Sequence, residues 1–167
     1  MYISFDQLPP DARVWIYQAD RAFTTEEEAG INPALASFCA EWAVHGQPLN
    51  ASFVVAYHRF VILAVDEAAA QASGCSIDSS VRVVKALGTR LGIDFFDRLK
   101  IALLVDDAVK TFSKKEVEAA FQAGTISKNT VAFNNLVATK SEFENNWQVA
   151  LENSWLAKYL SPAALSA

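Results

Sequence analysis

Hydrophobic positions along this chain change period several times, and each change marks an element. Residues 13–18, with Val14, Trp15, Ile16 and Tyr17 in a row after Pro9 and Pro10, predict a first strand. Thr24 ahead of Glu26, Glu27 and Glu28 predicts a capping box, and Asn32 with Pro33 a second helix start within the same segment. Ile31, Leu35, Phe38, Cys39 and Trp42 then recur at intervals of three and four, which draws one apolar stripe on a helix that Gly46 ends. From Ser52 to Asp66 the pattern is strand-like and broken by His58 and Arg59, predicting a hairpin with strands near 52–57 and 60–66. Residues 73–80 read as a loop whose Asp78 caps a second helix, with Val81, Val84, Leu87 and Leu91 as its stripe and Gly92 as its end. Residues 99–105 form a short apolar run between charges, expected as a strand buried on both faces.

That order is strand, helix, strand, strand, helix, strand, the βαββαβ sequence of ferredoxin-like folds, so the fold class expected is α+β with residues 1–105 as its first half. A sheet of this kind carries its helices on one face. Because the strands at 60–66 and 99–105, Asp66 and Lys100 aside, are apolar on both faces, the other face needs a cover, either the last sixty residues or a second copy of the chain.

The chain has 167 residues, 52% hydrophobic and 20% charged, enough for one core or two small halves. Its longest uncharged apolar run is Phe60 to Val65, which excludes a membrane-spanning helix of roughly 20 residues. The first ten residues lack the basic start and apolar run of a signal peptide, so the expected location is the cytoplasm. Two cysteines do not make a disulfide framework, and no Cys or His spacing suits a metal, so neither metal nor cofactor is expected. A net charge of −5 argues against nucleic acid as a partner, although residues 82–115 hold eight of the fourteen basic side chains and four acids.

Beyond residue 105, Asp106 and Asp107 predict a turn into a strand at 108–112, and Ser113 with Glu116 a capping box on a helix that ends at Gly124. Strand, turn, strand and helix, followed by Gly124-Thr125-Ile126, Thr130-Val131 and Trp147, resemble a GYF-2 interaction domain, here over residues 100–167 and sharing the strand near 99–105. That resemblance implies a peptide or protein partner. Two longer strings, Ala72 to Ser80 and Phe133 to Lys140, resemble an uncharacterised bacterial family often labelled "ABC transporter ATPase". The activity in that label is not supported by the residues: a phosphate-binding loop ends in Gly-Lys-Ser/Thr, and none of the six glycines here precedes a lysine.

Cys75 is the residue most suggestive of chemistry, because a thiol before a helix N-terminus is favoured as thiolate. In a ferredoxin-like topology His45 lies at the same end of the sheet and is the base to expect, with Asp66 or Asp106 to orient it. The competing reading makes Cys75 a small packed side chain, His45 part of a helix end and the aspartates strand ends. His58 and Arg59 read as an anion-binding pair or a polar turn. Trp15 and Tyr17 share a strand face and read as base-stacking rings or, with more weight, as core. Cys39 lies in an apolar stripe and is expected buried and inert. Asn134, Asn135, Lys140 and Trp155 combine amides, an ammonium and an indole, the groups expected to bind a peptide or polar ligand, with turn-fixing and packing as the alternative; Trp147 is expected to be structural. The sequence thus favours a non-catalytic interaction or ligand-binding protein, with a thiol-dependent enzyme as the alternative and a homodimer as a third arrangement.

Overall fold

Residues 1–68 and 71–160 are described by the computed structural model. Contacts divide the chain into two units, Met1–Phe96 with Asn135–Glu144, and Asp97–Asn134 with the residues from Asn145 onward. Both units mix helix and antiparallel sheet, so the chain is α+β.

In the first unit, β1 (Arg13–Gln18) leads to α1 (Thr25–Glu41), a small hairpin of β2 (Ala43–Val44) and β3 (Gln47–Pro48), the hairpin β4 (Asn50–Ala56) and β5 (Phe60–Asp66), and α2 (Gly74–Leu91). The capping box forms as expected: the Thr24 hydroxyl accepts from Glu27 N–H, and the Glu27 carboxylate from Thr24 N–H. Helix α1 then runs through Pro33 without a restart. The sheet order is β1-β5-β4, with β5 antiparallel to both neighbours. Strands β1 and β4 therefore run the same way on either side of β5. Tyr17, Val61, Leu63, Val65 and Ala51 share one face, and Ile31, Leu35, Cys39, Val84 and Leu87 from the helices fill the core against it.

Several features differ from the expectation. Helix α1 ends at Glu41, while Gly46 turns the β2–β3 hairpin. The strand expected at 99–105 starts at Ile101, with Ile101 and Leu104 only half-buried and Leu99 exposed. Three more concern pairing, capping and turns. The first sheet has three strands where residues 99–105 were to supply a fourth, because β6 (Ile101–Val105) pairs instead with β7 (Ala108–Phe112) and β8 (Val131–Phe133). A turn of two residues pairs one edge of β6 with β7, and β8 takes the other, so neither edge is left for β1. The free side of β1 is met instead by residues 138–140: Val14 N–H donates to Ala138 C=O, and Arg13 bridges Thr139. Second, α2 begins five residues before Asp78 would start it. Ser73 is the cap, its hydroxyl accepting from Ser76 N–H while the Ser76 hydroxyl donates to Ser73 C=O. Third, the β4–β5 turn is made by Tyr57 and His58, both left-handed at φ 54° and 53°. His45 with Gly46 and Asp106 with Asp107 are likewise left-handed pairs, so three hairpins use the backbone handedness of type I′ turns, two of them without glycine.

The second unit places β6 between β7 and β8, with β9 (Gln148–Ala150) on the outer side of β8. The Ser113–Glu116 capping box opens α3 (Lys114–Gln122), and the chain leaves it through Gly124 at φ 77°. Leu103, Val117, Ile126, Ala132 and Leu151 form its core, joined by Leu156 and Leu160 from the 3-10 turn Trp155–Tyr159. The short helix α4 (Lys140–Asn146) belongs, up to Glu144, to the first unit.

Every residue from Phe60 to Val65 is 0% exposed, so β5 is buried on both faces. The 3-10 turn Phe5–Gln7 packs against β4, and its Phe5 ring meets Phe143 edge-on at 5.8 Å. Ser52, on β4, is equally buried, and its hydroxyl has no hydrogen-bond partner among the described residues. An unpaired buried hydroxyl costs its desolvation. Ser52→Ala is therefore expected to raise stability by about 1 kcal/mol, read as a higher urea midpoint at unchanged m-value; a drop in midpoint would show that the hydroxyl is engaged.

Candidate functional site

A concavity at the C-terminal end of α2, lined by Asp20, Lys85, Gly88, Thr89, Gly92, Ile93, Asp94, Phe95 and Phe96, has a volume of about 470 Å³ and is open to solvent. Its shape comes from two glycines. Gly92 is left-handed at φ 67° and ends the helix, with its N–H and that of Ile93 both donating to Gly88 C=O. Gly88 lets the returning chain pass against the helix: a Cβ on it would stand 2.4 Å from the Ile93 carbonyl oxygen.

The returning segment is then clamped to the β1–α1 loop. Asp20 N–H donates to Asp94 C=O at 2.9 Å, and Asp94 N–H to Asp20 Oδ1 at 3.1 Å. Asp94 Oδ1 accepts from Phe96 N–H at 2.8 Å, which fixes the turn that presents the Phe96 ring. That ring lies edge-on to Tyr17 at 5.8 Å and receives the Lys85 ammonium at 5.6 Å. Phe95 turns inward against Phe23. Arg59 holds the loop from below, donating from Nε to Ala19 C=O at 3.2 Å and from a terminal nitrogen to Asp20 C=O at 2.9 Å. Burial draws its pKa downward, and the Asp20 charge opposes that shift. Arg21 grips both Glu27 oxygens at 2.8 Å and the Leu91 carbonyl at 2.7 Å, tying the start of α1 to the end of α2. The same hydrogen bonds hold the Glu27 carboxyl down to about 2.

The floor is thus rigid, and the rim carries unused chemistry. Asp20 and Asp94 each use Oδ1 in the clamp, leaving Oδ2 without a hydrogen-bonding partner among the described residues. Among the described residues the Lys85 and Thr89 side chains form no hydrogen bond, and Lys85 no ion pair, and Phe96 keeps 37% of its surface exposed. An ammonium lies over the aromatic ring, and two carboxylates and a hydroxyl belong to residues of the same lining.

The residues singled out by sequence lie elsewhere. Cys75 is exposed, in the first turn of α2 and not in a loop before it, and its carbonyl accepts from the Ser79 hydroxyl. His45 is exposed at the tip of the β2–β3 hairpin, and Asp66 Oδ1 accepts from Ala68 N–H. The Trp42 indole donates to Ser76 C=O at 3.0 Å, so the chain entering β2 is anchored on the first turn of α2. No hydrogen bond joins Cys75, His45 and Asp66. Cys39 is buried, and desolvation pushes its thiol up to about 12. His58 bonds Glu28 at 2.7 Å, and Arg59 serves the clamp. Trp15 and Tyr17 pack in the core. The Tyr17 hydroxyl meets Ser80 at 3.3 Å, and burial raises its pKa against that hydrogen bond.

Lys140 is buried with its ammonium on the carbonyls of Asp6 and Leu8, at 3.2 and 2.8 Å, a tie within the first unit and not a group facing solvent. Asn135 donates to the Gln18 side chain at 2.9 Å. Asn134 N–H donates to Trp147 C=O, and the buried Trp147 ring stacks on Phe133 at 4.9 Å. Trp155 is exposed at 47%. Among the described residues no cluster of three or more His, Cys, Asp or Glu is placed to hold a metal ion, and no helix is long and apolar enough to cross a membrane.

Sequence reasoning passed over Lys85, Thr89, Asp94 and Phe96. The available signal was Gly88, a glycine inside a helix four residues before its capping Gly92. Comparison with protein-family models, with curated proteins and with solved structures found no match for this chain.

Gly88→Ala is expected to lower stability by about 1–3 kcal/mol, since the methyl has to displace backbone and not a flexible side chain. Chemical denaturation would measure it, and an unchanged midpoint would mean that the 93–96 segment yields freely.

Proposed function

We propose that this chain is a non-catalytic cytoplasmic binding protein, and that its first unit takes a small zwitterionic ligand of the amino-acid type, free or as a peptide end, at the Lys85–Asp94–Phe96 depression. The observation that carries this reading is the opposition of charges around one ring. Lys85 is positioned to pair with a carboxylate, the second oxygens of Asp20 and Asp94 with an ammonium, and Phe96 to cover an apolar side chain. Arg59 and Gly88 supply the rigidity that keeps the ordering cost of binding small.

The finer fold reading belongs with this proposal. Strands β1 and β4 flanking β5, with two helices on one face, support a ferredoxin-like first unit. The order strand, strand, helix, strand, strand supports a GYF-2-like second one. The uncharacterised bacterial family remains the relationship we propose, without nucleotide hydrolysis.

Calorimetric titration of the full chain with the common amino acids and short dipeptides tests the site. At least one aromatic or aliphatic member is expected to bind with Kd of about 1 mM or below. Lys85→Ala should weaken it roughly tenfold, in keeping with loss of a charge-assisted hydrogen bond, at unchanged Tm. Silence across the whole panel would remove the proposal.

The alternative, a thiol-dependent enzyme on Cys75 with His45, draws support from the exposure of Cys75 in a first helical turn and from the Trp42 anchor at that turn. Iodoacetamide labelling across pH separates the readings. Cys39, buried and shifted to about 12, is expected to stay unlabelled at neutral pH. A Cys75 that labels with an apparent pKa well below about 8.5, and loses that shift in His45→Ala, would favour the enzyme; labelling like an ordinary thiol favours the binding protein.

A further inference from the structure

The second unit carries a separate convergence of charge. Lys114 opens α3, and Lys158 belongs to the 3-10 turn Trp155–Tyr159. Both elements are anchored in one core, α3 through Val117 and the turn through Leu156 and Leu160. Ser154 caps the turn, its hydroxyl accepting from Leu156 N–H at 3.1 Å. These anchors bring both ammonium groups to the same ring: each nitrogen stands 5.2 Å from the centre of Tyr159. The two cations therefore lie within about 10 Å of each other, the Debye length at 0.1 M salt. Neither has a carboxylate within 4.0 Å among the described residues. Of the two acids on α3, Glu116 turns its carboxylate back to Ser113 N–H, and Glu118, at i+4 from Lys114, makes no ion pair with it within 4.0 Å.

We propose that Lys114, Lys158 and the Tyr159 hydroxyl form a binding site for a phosphate-class dianion, either free phosphate or a phosphoryl group on a partner peptide. Two like charges held together repel each other. An anion with several acceptor oxygens bridges both ammoniums and accepts from the phenol, which converts that repulsion into charge-assisted hydrogen bonds. A ligand with a single acceptor reaches one lysine and leaves the other opposed. The start of α3 adds partial positive charge of the same sign. The ammoniums also leave a spectroscopic handle. Hydrogen bonding from Lys114, followed by the charges of Lys114 and Lys158, draws the Tyr159 pKa below its ordinary value. An anion that neutralises them returns it upward.

Amide NMR of the full chain titrated with inorganic phosphate, against sodium chloride at matched ionic strength, tests the site. Saturable shifts are expected at residues 113–116 and 155–160, with Kd of about 1 mM. Tyr159 ionisation, read as phenolate absorbance against Tyr159→Phe, should move to higher pH with phosphate. Lys114→Ala and Lys158→Ala should each weaken binding roughly tenfold, whereas Lys115→Ala, on the same turn but outside the convergence, should change it less than about twofold. Equal effects of all three lysines, or equal shifts with chloride, would overturn the proposal as general screening. A phosphoserine peptide that binds more tightly than both phosphate and its unphosphorylated form identifies a partner protein as the source; phosphate binding at least as well identifies the free ion.

Discussion

A strand with no exposed residue from Phe60 to Val65 imposes most of the architecture of the first unit. Such a strand needs hydrogen-bonded neighbours on both edges and apolar cover on both faces, because an unpaired buried amide or carbonyl is as costly as a lost hydrogen bond. Strand β1 supplies one edge and β4 the other, and both run antiparallel to it. Each side chain of β5 then has an assigned face, since a slip of one residue would exchange every one of them. The stripe of α1 and that of α2 follow from this assignment, as does the burial of Cys39 among them.

The same strand leads to the candidate site through its first turn. Tyr57 and His58 take left-handed backbone conformations that cost a non-glycine residue energy, and the surroundings hold them there. Phe23 N–H donates to His58 C=O at 2.7 Å, and Glu28 takes the imidazole. Arg59, next in the chain, is consequently buried beneath the loop of Ala19 and Asp20, where its guanidinium satisfies two carbonyls. A polar turn on a hairpin thus becomes the support of a loop that Asp20 and Asp94 lock to the end of α2. The depression at Phe96 is the surface of that support. Rigidity there is a property of backbone hydrogen bonds and one buried cation, while the exposed groups around the ring remain available.

The second unit is organised by local sequence. Its hairpin closes through two adjacent aspartates, its helix starts with a capping box and the chain leaves it through a glycine, so neighbours in sequence make most of its decisions. The exception is the 3-10 turn at Trp155–Tyr159. It returns from the end of the described chain to α3 and carries Lys158 to the ring that Lys114 also faces.

What the amino-acid sequence determined by itself was local and periodic. The stripe of α1, the capping boxes at Thr24 and Ser113, the strand at Arg13–Gln18 and the Asp106–Asp107 turn are all settled within a few residues, where hydrogen bonding and side-chain period act directly. Tertiary structure decided which strands share a sheet. The apolar run at 101–105 satisfies either sheet equally well as a pattern, and it joins the second because β7 and β8 take its two edges. It decided the roles of the polar residues for the same reason. Lys140 as a letter is an exposed cation. Its burial on the carbonyls of Asp6 and Leu8 depends on a partner more than a hundred residues away, and no local pattern encodes that. Lys85, Asp94 and Phe96 are ordinary surface residues until Gly88 lets the returning chain lie against the helix, and Lys114 and Lys158 become a pair only when their two elements share one core.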